Sequence, residues 1–437
     1  MRLAGPGASA HLVAKALESR SELLRYLRLR FTRGKAAGTR ELINQLGDVF
    51  VDEAANPAGR AAPVLDAVRT PGIAIYGMFT AEIGIGQSAR RSALSFATTD
   101  VRTSRHNITD AVLFENAVDF PASSDLASSF DTALIHLNPD TLLHVVRRFP
   151  LEVLVGTRRI GVWHWELPVF PVRWAKAFEQ VDELWAPSAF IAQSVRQASD
   201  IPVRLVPHAV PSAPIAQKLA REVFDLPASA FIFLTIFDSN SFPARKNPLG
   251  VIRAFQNAFP DRSSDHLLIV KSHGRGRRSA DFDEILRLAK GDRRLVLLDQ
   301  VFSEERTRLL QAACDVYVSL HRSEGYGLNL LECMAQGKLA IGTAFSGNLQ
   351  FMSPENSVLI PYSMRQVDKG EYLFGEGQWW AEPEHDTAVE ALRWAAAGGG
   401  DVQTRVGQGR SDATGTYSFQ AIGRVAAAAW RGQLNPY

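Results

Sequence analysis

The sequence predicts an α/β protein made of two doubly wound domains, each a parallel sheet covered by helices on both faces. Three observations lead to this fold class. The chain has 437 residues, which exceeds one ordinary hydrophobic core and suits two large domains. Short apolar runs alternate with helical segments, as buried parallel strands and their connecting helices do. The alternation then starts again after a seam near residues 208–225, so we expect ligands in a cleft between the two halves.

The first half of the pattern occupies residues 71–212. Its strands are predicted at 72–76, 131–137, 159–164, 184–186 and 203–207. A helix is expected over about 87–96, after a glycine-bearing loop. Ser188 precedes a second helical segment at 189–198. A hydroxyl in that position accepts hydrogen bonds from the free amides of a first helical turn, so Ser188 is predicted to cap this helix.

The second half occupies residues 213–414. Its strands are predicted at 231–237, 266–271, 295–298, 315–320 and 339–342, and its helices at 248–259, 303–314 and 328–336. Gly337 follows the last of these helices in the position that favours glycine. Residues 364–382 show no regular pattern and are expected to be irregular. The tail, residues 415–437, carries a helical pattern from 419 to 434.

Residues 1–70 are predicted to form a basic helical extension. Apolar residues recur there at helical intervals, and basic residues far outnumber the two acidic ones, Glu18 and Glu22, between residues 15 and 40. Such a basic amphipathic helix can lie on an anionic bilayer surface. The alternative is a solvated helix packed on the main body. Residues 12–35 are therefore a candidate membrane-surface contact, and residues 57–63 are interpreted as a linker.

Composition narrows the class of protein. The 48 basic and 46 acidic residues give a formal charge of +2, so the overall charge does not indicate a nucleic-acid partner. No run of about 18 apolar residues predicts a membrane span, and the first residues lack the apolar core of a secretory signal. Cys314 and Cys333 sit among apolar neighbours, as buried thiols in a reducing compartment do. We therefore expect a cytoplasmic protein, with a peripheral position on the membrane's inner face left open.

Two carboxylates eight residues apart, Glu324 and Glu332, are the strongest functional signal. Between them Gly325 and Gly327 allow backbone amides to approach a ligand closely, and a helix starts directly afterwards. The free amides of a first helical turn suit a diphosphate. Carboxylates accept pairs of hydrogen bonds from vicinal hydroxyls, which a ribose or a hexose offers. The alternative is a helix start with a solvated glutamate at each end.

The segment 323–337 closely resembles the E-x7-E motif of the retaining glycosyltransferase family GT4. Residues 340–348 resemble that family's next strand and glycine loop, and residues 237–248 its donor-domain opening loop with an Arg-Lys pair. Residues 163–168 and 183–188 resemble acceptor-domain segments of bacterial polysaccharide-building members. The resemblance covers roughly residues 72–360. It implies the GT-B fold, with two Rossmann-like domains facing an interdomain cleft.

Within the donor domain, 213–414, the resemblance implies a role for each matching residue. Glu332 would hold the donor ribose and Glu324 a hydroxyl of the donor sugar. Arg245 and Lys246 would neutralise the departing diphosphate, a charge that preorganised cations stabilise; an exposed basic loop is the alternative. The donor sugar and diphosphate would be bound by the residues around the two glycine loops, Gly325, Tyr326, Gly327, Leu328, Asn329, Ser346 and Gly347. Gln350 stands where family members often carry an acidic residue, so the details of sugar recognition depart from the pattern.

Within the acceptor domain, 71–212, His164 follows a predicted strand and would lie beside the anomeric carbon in similar transferases. Packing between Trp163 and Trp165 is the alternative for His164, and His136 is a rival for its place. Glu166 is a candidate for contacting the acceptor. The loop near the donor phosphate and the acceptor contributes Gly84, Gly86 and Gln87.

Two motifs for other ligands are weighed and rejected. Residues 84–89 match the G-x-G-x-x-A dinucleotide fingerprint, but six or seven residues separate it from its strand, so NAD binding is not favoured. Asp281-Phe-Asp283 has the D-x-D spacing of a metal site in another transferase fold, but a helix is predicted there. We expect no cofactor and no catalytic metal. The basic loop with Arg275, Arg277 and Arg278 is interpreted as solvated.

The expected reaction is transfer of a hexose, with retention, from a GDP- or UDP-linked donor to a saccharide or lipid-linked saccharide. Such a hexosyltransferase would serve cell-surface polysaccharide synthesis, and the resemblance suggests mannose as the sugar. The resemblance also implies that the final helix packs back on the first domain. Two other classes stay open. One is a sugar-nucleotide epimerase-like enzyme on the same fold, and the other is a non-catalytic sugar-nucleotide or glycan binder.

Overall fold

The computed structural model describes residues 69–108, 118–124, 128–148, 154, 156–238, 242–272 and 280–437. The predicted membrane-surface helix at 12–35, the linker at 57–63 and the basic loop of Arg275, Arg277 and Arg278 lie outside the described residues.

The first domain is built on a six-stranded parallel sheet. Its strands are β1 (Thr70–Gly77), β2 (Thr103–Asn107), β3 (Phe130–His136), β4 (Arg158–Val162), β5 (Glu183–Ala186) and β6 (Val203–Leu205), in the order β2-β1-β3-β4-β5-β6. Helices α1 (Gly84–Phe96), α2 (Pro139–Arg148) and α3 (Ala189–Arg196) connect them, with a 3-10 helix at Val172–Gln180. The order reverses between β1 and β3, and ligands bind at the carboxyl ends of strands beside such a reversal.

The second domain repeats this plan. Its strands are β7 (Phe231–Phe237), β8 (His266–Ser272), β9 (Leu295–Asp299), β10 (Val316–Ser319), β11 (Leu339–Thr343) and β12 (Val358–Ile360), in the parallel order β12-β11-β10-β7-β8-β9. Its helices are α4 (Gln217–Val223), α5 (Pro243–Lys246), α6 (Pro248–Ala258), α7 (Ala280–Gly291), α8 (Glu304–Ala313), α9 (Leu328–Ala335), α10 (His385–Ala397) and α11 (Gly400–Thr416), with a 3-10 helix at Gly347–Gln350. Here the order reverses between β7 and β10, which brings their ends to the same cleft.

Serine caps explain where two helices start. The hydroxyl of Ser188 accepts from the amide of Ile191 (3.3 Å), as predicted, and that of Ser303 accepts from Arg306 at the start of α8 (3.2 Å). Ser188 also donates to the carbonyl of Gly325 in the second domain (2.6 Å). One side chain therefore ends a loop in the first domain and joins it to the motif loop of the second.

A β-hairpin stands where irregular structure was expected. Strands β13 (Tyr362–Gln366) and β14 (Trp379–Pro383) pair antiparallel, with Met364 opposite Ala381. The prediction for residues 364–382 was wrong at its two ends, where each strand has only five residues, too few to show a clear alternation, and correct for residues 367–378, which form neither strand nor helix. Trp380 is fully buried, which anchors the hairpin.

The last helix, α12 (Phe419–Trp430), lies on the first domain. Its Trp430 indole donates to the hydroxyl of Thr132 (2.9 Å), and Arg158 donates to the Trp430 carbonyl (2.7 Å). The chain thus crosses between the domains a second time. None of the described helices is both long enough and apolar enough to cross a bilayer.

Candidate active site

The loop between β10 and α9 carries the two motif carboxylates. It begins after Ser319 and ends at Gly327, whose φ of +92° is a backbone angle that favours glycine. A second loop packs directly against it. The amide of Gly347 donates to the carbonyl of Glu324 (2.9 Å), and a Cβ on Gly347 would overlap the carbonyl of Gly325. The two loops predicted to bind the donor therefore form one surface at the start of α9.

The first turn of α9 completes this surface. Leu328 and Asn329 open the helix, and the Asn329 side-chain oxygen accepts from Gln311 (3.1 Å). The hydroxyl of Ser346 accepts from the Glu324 amide (2.8 Å). Because the first amides of a helix have no partner within it, they suit an anionic ligand at this point.

Glu324 is paired entirely within its own domain. Its buried carboxylate accepts from Arg245 (3.1 Å) and from Lys246, which follow β7 in the short helix α5. Burial alone would raise the pKa of Glu324, but Lys246 and Arg245 outweigh it and lower the pKa to about 2. Arg245 is 4% exposed, so the alternative of an exposed basic loop is wrong for it. The arrangement is a fixed anion between two fixed cations.

Glu332 is paired across the cleft. Its carboxylate accepts from Arg91 and, more distantly, from Gln87 (3.4 Å), both on α1 of the first domain. Gln311 of its own domain donates to the other oxygen (2.6 Å). Burial raises the pKa of Glu332, with Arg91 opposing that shift. Arg91 also lies 3.0 Å from Glu304, so α1 places a cation between two carboxylates of the second domain.

Three histidines meet on the first-domain side of the cleft. His164 Nε2 lies 2.8 Å from His208 Nε2, and the two rings stack with their centroids 5.0 Å apart. His136 is fully buried and bonds Ser88 through Nδ1 (2.9 Å). Burial lowers the pKa of His164 to about 4 and that of His136 to about 3, so both rings are neutral at pH 7.

Neutral histidines can still hydrogen-bond a substrate. His164 Nδ1 is buried without a hydrogen-bond partner among the described residues. An imidazole nitrogen in that state either donates or accepts, depending on the tautomer. His208 also touches the motif loop, since its carbonyl accepts from the Tyr326 hydroxyl (3.1 Å).

Glu166 lies next to the cations that hold Glu324. Its Oε1 is 3.9 Å from Arg245, its Oε2 accepts from the Tyr372 hydroxyl, and its backbone carbonyl accepts from Ser323. Glu166 therefore joins the first domain to both the motif loop and the hairpin.

The glycine loop of the first domain behaves differently at its two predicted glycines. A Cβ on Gly86 would stand 2.6 Å from the carbonyl of Ala81, so Gly86 is needed for packing within its own loop. Gly84 starts α1 and has open space around it. Of this predicted group, Gln87 is the residue whose side chain reaches the opposite domain.

Four residues at the site were not found from sequence, namely Arg91, His208, Gln311 and Tyr372. Arg91 and Gln311 lie within helices, and the helical periodicity of the sequence gives no sign that either side chain belongs to a site. His208 lies in the seam, and Tyr372 lies in the stretch expected to be irregular. The adjacent arginines at 90 and 91, directly after a glycine loop, are the one local signal that pointed here.

The D-x-D pattern lies on a helix, as predicted. Asp281 and Asp283 are in the first turn of α7. Over the described ranges, no group of three or more His, Cys, Asp or Glu residues is arranged to hold a metal ion.

Two Rossmann-like domains facing a cleft define the GT-B fold, and paired carboxylates and cations lie at the ends of its strands. The predicted fold and the predicted resemblance are both confirmed. Residues 236–367 match the family described as "Glycosyl transferases group 1". No curated protein matches the chain by sequence.

Solved structures agree on the fold. Sucrose-phosphate synthase from Thermosynechococcus elongatus has a TM-score of 0.61 at 16% identity, over 83% of this chain and 99% of its own. A glycosyltransferase from Rickettsia africae gives 0.58 at 11% identity, over 83% and 98%. HepE of Anabaena, solved with UDP and glucose, gives 0.56 at 11% identity, over 83% and 100%. Identities this low establish the fold and leave the substrates open.

Proposed function

We propose that the protein transfers a hexose from a nucleoside-diphosphate sugar to a saccharide hydroxyl, with retention at the anomeric carbon. The observation that carries the proposal is Glu324 held between Arg245 and Lys246 at the start of α9. A sugar hydroxyl and a diphosphate need an acceptor and cations side by side, and this group offers both.

The cations supply the transition-state stabilisation. When the bond to the anomeric carbon breaks, the departing diphosphate gains negative charge, and preorganised positive groups favour that state. Burial would lower the pKa of Arg245, but Glu324 and Glu166 raise it overall, so its charge is permanent. Lys246 has its pKa lowered by burial and stays paired with Glu324.

The acceptor side is assigned to His164 and Glu166. Glu166 can accept a hydrogen bond from the attacking hydroxyl, and His164 can orient the acceptor or the donor sugar through Nδ1. Retention places that hydroxyl on the same face as the leaving group. We infer retention, a hexose and catalysis without a metal from the family resemblance, and HepE's complex with UDP and glucose supports a nucleotide-linked hexose.

The nucleotide test uses calorimetric titration with GDP, UDP, ADP and NAD. Wild type is expected to bind GDP or UDP, and Glu332→Ala to bind it about tenfold or more weakly because the ribose hydroxyls lose a charged acceptor. Glu305→Ala is the matched control, since Glu305 is an exposed glutamate on the same domain. Binding of NAD alone, or equal loss in both variants, would refute the donor-site assignment.

Turnover separates the remaining classes. Proton NMR of the reaction with UDP-glucose or GDP-mannose and 4-nitrophenyl glycosides should show a new glycosidic bond whose anomeric configuration matches the donor. Sugar interconversion without an acceptor would indicate an epimerase, and nucleotide binding without any turnover would indicate a binder.

We propose further that the acceptor is a saccharide or lipid-linked saccharide of cell-surface polysaccharide synthesis, met at the membrane surface through residues 12–35. Flotation with vesicles of phosphatidylglycerol and phosphatidylcholine tests the helix. Full-length protein should float and protein lacking residues 1–60 should not, with equal nucleotide affinity. Equal flotation of both would remove the membrane role.

A further inference from the structure

The hairpin of the second domain reaches the first domain across the cleft. We call residues 361–383 the clasp. Val367 and Trp380 of the clasp are buried in the same hydrophobic core as the aromatic side chains of the first domain. Phe374 packs edge-on against Trp174 at 5.7 Å. The matched family segment ends at residue 367, so most of the clasp lies beyond it.

Polar contacts fix the position of the clasp. The side-chain oxygen of Gln378 accepts from the amide of Val169 (3.0 Å), and its side-chain nitrogen donates to the carbonyl of Phe374 (3.1 Å). Gln378 therefore makes one hydrogen bond within the clasp and one to the first domain. This places the clasp next to the loop that carries Glu166.

Tyr372 lies where the clasp meets both sides of the site. Its hydroxyl donates to Glu166 Oε2, while the guanidinium of Arg245 lies over its ring at 5.7 Å. Trp165 (5.7 Å) and Phe242 (5.1 Å) pack against the same ring. Glu166, proposed to contact the acceptor hydroxyl, and Arg245, proposed to stabilise the leaving group, therefore both contact Tyr372.

We propose that Tyr372 is a positioning residue that presents Glu166 to the acceptor hydroxyl, which makes the clasp the acceptor-side specificity element. This inference rests on the proposed function. With Oε2 occupied by Tyr372 and Oε1 3.9 Å from Arg245, Oε1 is the oxygen left to accept from a ligand. The Glu166 side chain is 25% exposed, so a ligand reaches it.

The contact between Tyr372 and Arg245 concerns the leaving-group side of the site. Arg245 Nε is buried without a hydrogen-bond partner within the described part of the chain, which leaves it a donor for an anionic ligand. The tyrosine ring holds the guanidinium plane in place through a cation–π contact. Its hydroxyl and its ring therefore have separable roles, the first toward Glu166 and the second toward Arg245.

The experiment compares Tyr372→Phe with Tyr362→Phe, which makes the same change on the same hairpin. Tyr362 packs on Phe345, with ring centroids 5.2 Å apart. Assays use the sugar nucleotide and 4-nitrophenyl glycoside that wild type turns over fastest. Tyr372→Phe should raise the KM for the glycoside about tenfold, the scale of one hydrogen bond to a charged group. The nucleotide Kd, the rate of donor hydrolysis by water and the melting temperature should stay at wild-type values.

A double-mutant cycle with Glu166→Gln tests whether Tyr372 acts through Glu166. The two substitutions together should raise the glycoside KM no more than Glu166→Gln alone, because contacting residues are not additive. Additive effects, or an unchanged KM in Tyr372→Phe, would overturn the inference. If the inference fails while these variants keep the wild-type nucleotide Kd, only the role of the clasp is wrong. If Glu332→Ala binds the nucleotide as tightly as wild type, the proposed function itself is wrong.

Discussion

The two carboxylates of one motif lie in opposite electrostatic environments. Glu324 is neutralised by Arg245 and Lys246 of its own domain, and its pKa falls to about 2. Glu332 has its pKa raised by burial and takes its cation, Arg91, from the other domain. The charge of Glu324 is therefore fixed locally, whereas that of Glu332 depends on the two domains being together. The two ends of one motif therefore differ in whether their ion pairs lie within a domain or across the cleft.

The largest expected effect comes from removing the local cation. Arg245→Ala should lower kcat about a hundred- to a thousandfold, the range for losing one preorganised charge at a developing anion. Arg253→Ala, an exposed arginine on α6, is the control and should keep wild-type kcat. Steady-state kinetics with the donor identified by calorimetry measures both. A loss confined to donor KM would assign Arg245 to ground-state binding instead.

A smaller effect is expected from removing the cross-domain cation. Without Arg91, the pKa of Glu332 should rise further, and a protonated carboxyl, with a proton on one oxygen and no negative charge, accepts from ribose hydroxyls more weakly than a carboxylate does. In Arg91→Met, nucleotide binding should therefore fail at a higher pH than in wild type as the pH is lowered. Calorimetry across the neutral and mildly acidic range measures the shift.

Arg90→Met is the neighbouring control. Arg90 lies 3.6 Å from Glu82 and 3.9 Å from Glu304, and no contact with Glu332 is found in the described chain. Its binding curve should keep the wild-type midpoint. An equal shift of the midpoint pH in both variants would mean that the pKa of Glu332 responds to the total charge of α1 and not to Arg91 in particular.

The smallest effect is on stability, and its sign should differ between the two glutamates. A carboxyl whose pKa is lowered stabilises the fold above its ordinary pKa of 4.5, and that stability is lost as pH falls toward 2. Glu324→Gln should thus lower the melting temperature most at neutral pH, and the difference should shrink on acidification. Because the pKa of Glu332 is raised, ionising it costs stability as pH rises. The melting temperature of Glu332→Gln should therefore increase relative to that of wild type as the pH is raised. Scanning calorimetry over a pH series would contradict this comparison if both variants changed in parallel.

The sequence predicted what depends on local pattern. Buried parallel strands appear as apolar runs, and ten of the strands in the two sheets were expected, with the seam between the halves. The strand at Thr103–Asn107 was missed because its residues, Thr-Ser-Arg-His-Asn, are polar. The segment from Glu324 to Glu332 was found for the same local reason, since a strand, two glycines and a helix stand in sequence.

The partners of the site residues could not be predicted. Arg91 and Glu332 are separated by 241 positions, and Tyr372 and Glu166 by 206. No local periodicity records such pairs, because they arise where two separately folded domains meet. The roles of His164, Glu324, Arg245 and Lys246 in catalysis stay predictions until the variants above are measured.

The second crossing of the chain has a mechanical consequence. The amide of Val210 in the first crossing donates to the carbonyl of Tyr417 in the second (2.7 Å), so the two connections run side by side. Because the clasp is buried in the first-domain core as well, any relative motion of the two domains has to break clasp contacts in addition to loading this joint. Glu324, Arg245 and Lys246 belong to one domain, so their ion pairs do not depend on such a motion, whereas the pair of Arg91 and Glu332 does.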